Sequence, residues 1–460
     1  MFQRIIPVLC LFILPSFLSG QPAGINPFPM DDSLLKKQIY QAAFRDKEAL
    51  LASLTGEHKD DYKEVYESRF EMLGTFLKSN RLVAEPDAQR YLQSLLDHIV
   101  SVNPELKNFS IRLVFSRDWW ANAYSVGEGT LIVNAGLLVR MKNEAELAFV
   151  LCHELAHLYL DHSGKSIQRS ISTLKSEKFR QELKRLSRQE YGAGAELDKL
   201  LKVLAFNSRR HNREHESEAD FRAAAFLKAT GFSGYGAISC LELLDKVDET
   251  PLYPSLNIQQ VFNYPDYSFK TRWIKKEAVI FGQMQGDASG LTAAEKDSLR
   301  THPDCQKRIR ALEPLLSPLP EGNAFVLDSM MFRKLQERFS LELIESLYQE
   351  EEYARNLYLS LGLLQSGRHR NYAVYAVARV LNELYEAQAK HYFGRVTEKE
   401  NRTYDEDYNL LLRLLDRVRL NELAELAYYF CLQYRAEMAG HTSFEEAWRK
   451  ARQNMDKHTS

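Results

Sequence analysis

The chain of 460 residues is poor in cysteine: it has five, and only Cys152, Cys240, Cys305 and Cys431 lie beyond the first twenty positions. Four scattered cysteines in so long a chain make no disulfide framework, and their spacing fits no cysteine zinc site. Excess charge is also missing, since 60 Lys and Arg stand against 62 Asp and Glu for a net charge of −2. That leaves no bulk electrostatic case for nucleic acid or for an anionic membrane as partner. Past residue 20 no apolar run approaches the roughly 20 residues of a spanning helix, so no transmembrane span is expected in the mature chain. What remains, 45% hydrophobic and 27% charged, is ordinary for a globular protein of two or three domains.

The first twenty residues differ from the rest. Arg4 supplies a positive charge, Ile5 to Leu18 form an apolar run broken by Pro7 and Pro15, and Ser19-Gly20 are small. This reads as a signal peptide over 1–20; the run is short for a bilayer anchor. The expectation is export to a periplasmic or extracellular location, soluble or peripheral to the membrane. Residues 21–85 read as a proline-bearing lead-in followed by an N-terminal helical segment, with apolar residues such as Leu35, Ile39, Phe70, Leu73 and Phe76 at helical spacing. Nothing in that segment points to chemistry.

A helix is expected from Pro86, running through Tyr91, Leu92, Leu95, Leu96 and Ile99 to Asn103-Pro104. Alternation over Phe109 to Ser116 predicts a strand with one buried face. Residues 119–134, with the turn Gly127-Glu128-Gly129, predict a hairpin leading through Ala135 to Leu138 into the next helix. An edge strand there can hold an extended peptide by main-chain hydrogen bonds, or the hairpin is scaffold.

That next helix, with Leu147, Val150, Leu151, Leu155 and Leu158 at apolar spacing, carries His153-Glu154-Leu155-Ala156-His157. Residues four apart share a helix face, so His153 and His157 can present two imidazoles to one ion while Glu154 sits beside them. This is the two-histidine-plus-base pattern of a zinc metallopeptidase, although a core helix can also carry two satisfied histidines. A third protein ligand is needed. Ser163 occupies the position where a metzincin has its third histidine. His162 falls about 500° round the helix from His157 and is expected to face away. A better candidate is the acid-crowded helix start around Glu214, Glu216, Glu218 and Asp220, where Glu216 and Asp220 share a face and Glu218 points elsewhere. A ligand carboxylate with a second carboxylate one turn on can orient a ligating histidine; a solvated, dipole-favoured first turn has the same composition. Residues 163–207 are highly charged with heptad-like apolar spacing and predict a helical hairpin interrupted at Tyr191-Gly-Ala-Gly194.

These motifs, followed by Thr301-His302-Pro303 and Arg308, resemble in kind and order the HtpX, CAAX-prenyl-protease and Oma type of gluzincin zinc metallopeptidase. Asn122-Ala123 and Val133-Asn134 to Leu138 also match the lead-in strands of that family, and the resemblance covers about 86–313. It implies one Zn2+ per chain held by His153, His157 and Glu216, Glu154 as general base, and Asp220 hydrogen-bonded to a ligand histidine. It also places His302 and Arg308 near the catalytic centre. There they can stabilise an anionic tetrahedral intermediate, or His302 can fill the open zinc position and hold the enzyme inactive. On the residues alone, Pro303 starts a helix and Arg308 lies on its surface. The Gln283–Gly290 segment before them reads as a loop.

The implied fold class is α+β, mostly α-helical. A zincin-like metallopeptidase domain with a small sheet over 86–315 is followed by a helical domain over 323–460. Lacking transmembrane helices, the chain looks more like the exported, soluble (BepA-like) branch, which is linked to periplasmic protein quality control and carries a helical repeat module. Residues 323–460 fit tetratricopeptide-like pairs or a plain bundle, with no clean 34-residue period. The expected partners are an unfolded or misassembled polypeptide substrate and an envelope protein bound through 323–460. The alternative function is a chaperone-like assembly or adaptor factor with latent proteolysis.

Overall fold

The structure, a computed structural model, describes residues 32–126, 129–186, 213–247, 250–253, 256–275, 304–316, 322–401 and 404–459. The expected signal peptide, the second arm of the charged hairpin, the Gln283–Gly290 loop and Thr301-His302-Pro303 lie outside these residues.

Two helices, α1 (Ser33–Ser53) and α2 (Lys59–Lys78), precede the short strand β1 (Leu82–Val83). Helix α3 (Pro86–Val102) begins where its start signals place it: Glu85 caps it by accepting from the Ala88 N–H at 2.6 Å, and Pro86 occupies the first turn. Its apolar stripe from Ala88 to Ile99 is buried. Strands β2 (Arg112–Ser116), β3 (Ala123–Val126) and β4 (Thr130–Asn134) complete a mixed sheet of order β1-β2-β4-β3. The expected hairpin forms, with Tyr124 opposite Ile132 and Ser125 opposite Leu131, whereas β2 begins three residues later than the alternation starts. Strand β4 also runs parallel to β2, pairing Val114 with Ile132 and Phe115 with Val133. That leaves β3 at the sheet edge.

The sheet is covered on both faces. Val114, Val126 and Ile132 meet Leu73, Phe76 and Leu77, an i, i+3, i+4 stripe of α2. Leu113, Phe115, Leu131 and Val133 point the other way, into the main core. After β4 comes the short helix α4 (Ala135–Leu138), where a side chain at Gly136 would put its Cβ 1.8 Å from the Trp119 carbonyl oxygen. No residue but glycine fits there.

That helix, α5 (Glu144–Tyr159), is capped by Asn143, which accepts from the Glu146 N–H at 3.1 Å. It is buried over most of its circumference. It does not continue to His162. Asp161 takes the left-handed conformation at φ 51°, and a new helix, α6 (His162–Lys175), starts at a different angle with Asp161 as its cap. Helix α7 (Glu177–Leu186) follows after a break at Ser176.

The remaining elements are α8 (213–228), α9 (Tyr235–Lys246), the short α10 (Ile258–Val261) and α11 (Cys305–Leu316). Then come α12 (Ser329–Gln349), α13 (Tyr353–Gln365), α14 (Arg370–Ala389), the short α15 (Phe393–Val396), α16 (Glu406–Arg417), α17 (Leu420–Tyr434) and α18 (Thr442–Thr459). The C-terminal helices share one apolar core with the sheet and α5. Phe339 of α12 packs edge-on against Phe115 with ring centroids 4.8 Å apart, and Arg117 pairs with Glu342, each side chain only 2% exposed. Glu144, the first residue of α5, accepts from the N–H groups of Val326, Leu327 and Asp328 at 2.8, 2.9 and 2.9 Å and from the Tyr91 hydroxyl at 2.9 Å. One buried carboxylate thus caps the approach to α12 from the start of the motif helix.

Candidate metal centre

The one-turn spacing on α5 brings His153 Nε2 and His157 Nε2 within 3.0 Å of each other. Glu216, on α8, lies across from them, with Oε2 3.4 Å from His153 Nε2 and Oε1 3.4 Å from His157 Nε2. Among the described residues these three form the one cluster whose donor atoms converge as a metal site requires, all within 4.8 Å of one another. A tetrahedral zinc ion with bonds of about 2.0–2.2 Å spaces its ligands at about 3.3–3.5 Å; the two imidazole–carboxylate separations of 3.4 Å match this, and the two imidazoles, 3.0 Å apart, need open by only about 0.3 Å.

Behind the donors stands a second set of polar groups. His153 turns its other nitrogen, Nδ1, to Asp220 Oδ1 at 2.9 Å. Asp220 is in turn held by Arg308, which donates from Nε to Oδ2 at 2.5 Å and from Nη2 to Oδ1 at 2.7 Å. Arg308 Nη1 also reaches Glu216 Oε2 at 3.2 Å. The arginine therefore comes to the site from α11, buried, with its guanidinium engaged by two carboxylates. It is not a surface residue of that helix.

On the other side, His157 Nδ1 meets His162 Nδ1 at 2.9 Å, and His162 Nε2 meets Glu218 Oε2 at 3.1 Å. The ring of His162 stacks on that of His215, with centroids 4.2 Å apart and planes 6° from parallel. The expectation that His162 faces away fails because it assumed an unbroken helix. The turn at Asp161 swings residue 162 back over His157. The same turn gives Glu218 a target, although its spacing sets it off the face of Glu216 and Asp220.

The local electrostatics favour a positive charge among the donors. Burial works against a protonated His153, yet Asp220 and Glu216 beside it outweigh burial and raise its pKa to about 10. Burial pushes the Glu216 carboxyl up, but the His153 and His157 rings beside it and the charge of Arg308 overcome it and hold that carboxyl well below the ordinary range. Asp220 is likewise lowered, because Arg308 and His153 outweigh its burial. Burial pushes Glu154 up against the pull of His153 and His157, as suits a group that takes and returns a proton. Burial lowers His162 to about 4 despite its contact with Glu218.

His153, Glu154, His157 and Arg308 line one cleft of about 800 Å³. Ala123, Tyr124 and Ser125 of the edge strand β3 form part of its wall. Leu50 of α1 and Tyr66 and Arg69 of α2 form another part, and Arg69 donates to Ser163 of α6 at 3.2 Å. The N-terminal helices, whose periodicity points only to packing, thus border the site. His302 lies outside the described residues.

Residues 86–315, half of the chain, match Peptidase family M48. A stretch of 131 residues is 31% identical to Metalloprotease YcaL of Escherichia coli (strain K12), covering 28% of this chain and 48% of that protein. The chain therefore spans about half the length of the curated relative it matches. Since the family match runs from α3 to the end of α11 and encloses all three donors with Asp220 and Arg308, the chain belongs to peptidase family M48, a family of zinc-dependent metallopeptidases.

Proposed function

We propose that this protein is a zinc-dependent endopeptidase that acts, after export, on unfolded or misassembled polypeptides of the cell envelope. The observation that carries the reading is the convergence of His153, His157 and Glu216, with donor separations of 3.0 to 3.4 Å, on the wall of a cleft that also holds Glu154. A zinc ion held by these three residues supplies Lewis acidity toward a scissile carbonyl and acidifies water.

The rest is the work of the chain's own side chains. Glu154, raised by burial, takes the proton of the attacking water and delivers it to the leaving amine. Asp220 and Arg308 hold His153 and Glu216 in place. Strand β3 offers an edge along which an extended substrate can pair through its main chain, which tolerates many side chains and suits a protease of unfolded protein.

Export rests on the apolar Ile5–Leu18 run, and among the described residues no helix is long and apolar enough to cross a membrane. Quality control in the envelope and a partner bound through 323–460 rest on the family resemblance. The deciding experiment compares wild type with Glu154→Gln for zinc content and for cleavage of casein. Zinc in both and cleavage only by wild type are expected. A wild-type protein that binds no zinc, or a variant that cleaves normally, overturns the reading.

A further inference from the structure

We propose that His162, backed by Glu218, is a positioning residue that fixes the tautomer and the ring orientation of His157 and so keeps Nε2 of His157 available to the metal. The proposal rests on the zinc-centre reading above and deepens it.

The argument is a proton count along one line of atoms. A carboxylate only accepts, so with Glu218 Oε2 at 3.1 Å the hydrogen of His162 sits on its Nε2. His162 Nδ1 then carries a lone pair. It faces His157 Nδ1 at 2.9 Å, a distance at which two lone pairs repel and two hydrogens clash, so His157 carries its hydrogen on Nδ1. That leaves the lone pair of His157 on Nε2, the nitrogen turned toward His153 and Glu216. With the zinc ion of that reading between the two Nε2 atoms and Glu216, every ring nitrogen in the line has one assignment.

The geometry behind this line is rigid. His162 is 3% exposed, its ring lies flat on His215, and Asp161 at φ 51° aims it across the helix break. The two ligand histidines are therefore held by different chemistry. His153 meets a carboxylate directly, through Asp220, whereas His157 meets a second imidazole that stands between it and the carboxylate of Glu218. Neutral imidazole accepts more weakly than carboxylate, so this side of the site depends more on placement.

The test measures Zn2+ affinity of the full chain by competition with a chromophoric chelator, for wild type, His162→Ala, His162→Asn and Glu218→Ala. Loss of a group that orients a ligand costs about 10- to 100-fold in metal affinity, and that loss is expected for His162→Ala. Asparagine at 162 places Oδ1 where Nδ1 stood and is expected to restore most of it. Glu218→Ala changes a side chain that is 58% exposed, so it is expected to weaken zinc several-fold without lowering the melting temperature of the metal-free protein. Wild-type affinity in His162→Ala, or an asparagine variant as weak as alanine, overturns the proposal. Should His162→Ala fail to fold, the long-range 1H–15N spectrum of histidine-labelled, metal-free wild type decides: His157 protonated at Nδ1 supports it, and at Nε2 refutes it. A wild-type chain that binds no zinc sinks the zinc-centre reading itself, a different result from any of these.

Discussion

Arg308 grips Asp220 with two hydrogen bonds, 2.5 and 2.7 Å long, and the two side chains are only 7% and 2% exposed. The forked geometry makes this pair specific to arginine. Through Asp220 it steadies His153, and through Nη1 it steadies Glu216. Arg308→Ala leaves a buried carboxylate without its partner, so a loss of about 3–5 kcal/mol of stability is expected. Zinc affinity is expected to fall by about 10- to 100-fold at the same time. Urea denaturation and chelator competition measure the two effects. Arg308→Lys, which keeps the charge without the fork, is expected to recover only part of either, and a lysine variant equal to wild type would contradict the role of the fork.

Glu154 lies beside the donors but is not one of them. Glu154→Gln is therefore expected to keep the wild-type zinc content while kcat/KM falls by at least about 10²- to 10⁴-fold, the range supplied by a positioned proton carrier. Metal analysis and a fluorogenic peptide assay on the same preparation separate the two quantities. Loss of zinc in this variant would make Glu154 part of the binding site.

Acid sensitivity should have a component at Glu422. Its carboxylate accepts from Lys270 Nζ at 2.9 Å, from Arg272, from Trp273 Nε1 at 3.1 Å and from the Arg419 N–H at 3.1 Å, tying residues 270–273 to α17. Burial pushes this carboxyl up, but these donors overcome it and lower it from an ordinary 4.5 to about 2. A depressed carboxyl contributes its stability above the unfolded value and loses it as pH falls toward the folded one. The stability gap between wild type and Glu422→Gln should thus be full at neutral pH and shrink between about pH 4.5 and 2. Urea denaturation at pH 7 and pH 3 checks it; an unchanged gap would show that the carboxyl is not depressed.

Removing residues 323–460 should not leave a folded peptidase. Phe339, Glu342 and the N–H groups of 326–328 are part of the sheet's core and of the hydrogen bonding of α5. Loss of Glu342 alone takes the counter-charge from the buried Arg117, a cost of about 3–5 kcal/mol. Circular dichroism and thermal melting of the truncated chain are expected to show no cooperative transition. A sharp transition would establish that the first part folds alone.

Much of the site was legible where one local period carries the information. The four-residue spacing of His153 and His157, the cap and stripe of α3 and the hairpin of β3 and β4 are set by neighbours in sequence. So is the common face of Glu216 and Asp220. What escaped depends on contacts between distant segments or on a single torsion. His162 and Glu218 were set aside because an ideal helix turns them away, and only the left-handed Asp161 brings His162 to His157 and within reach of Glu218. Glu144 carries no motif, and its partners lie at 326–328. Leu50, Tyr66 and Arg69 reach the cleft because α1 and α2 seat on the sheet, which their own periodicity does not reveal.

The bonds of Glu144 also make the start of the motif helix depend on a segment far downstream in the chain. A growing chain that ends near residue 316 already contains His153, Glu154, His157, Glu216, Asp220 and Arg308, yet the first residue of the motif helix still lacks the three N–H groups that satisfy its carboxylate in the finished protein. A fully buried carboxylate left with only the Tyr91 hydroxyl of its four donors opposes closure of the core around it. The helix that bears both histidines therefore has its full set of partners only with the segment at 326–328 folded back onto it. A chain that stops short of that segment carries every residue of the candidate metal centre but lacks part of the frame that aligns them.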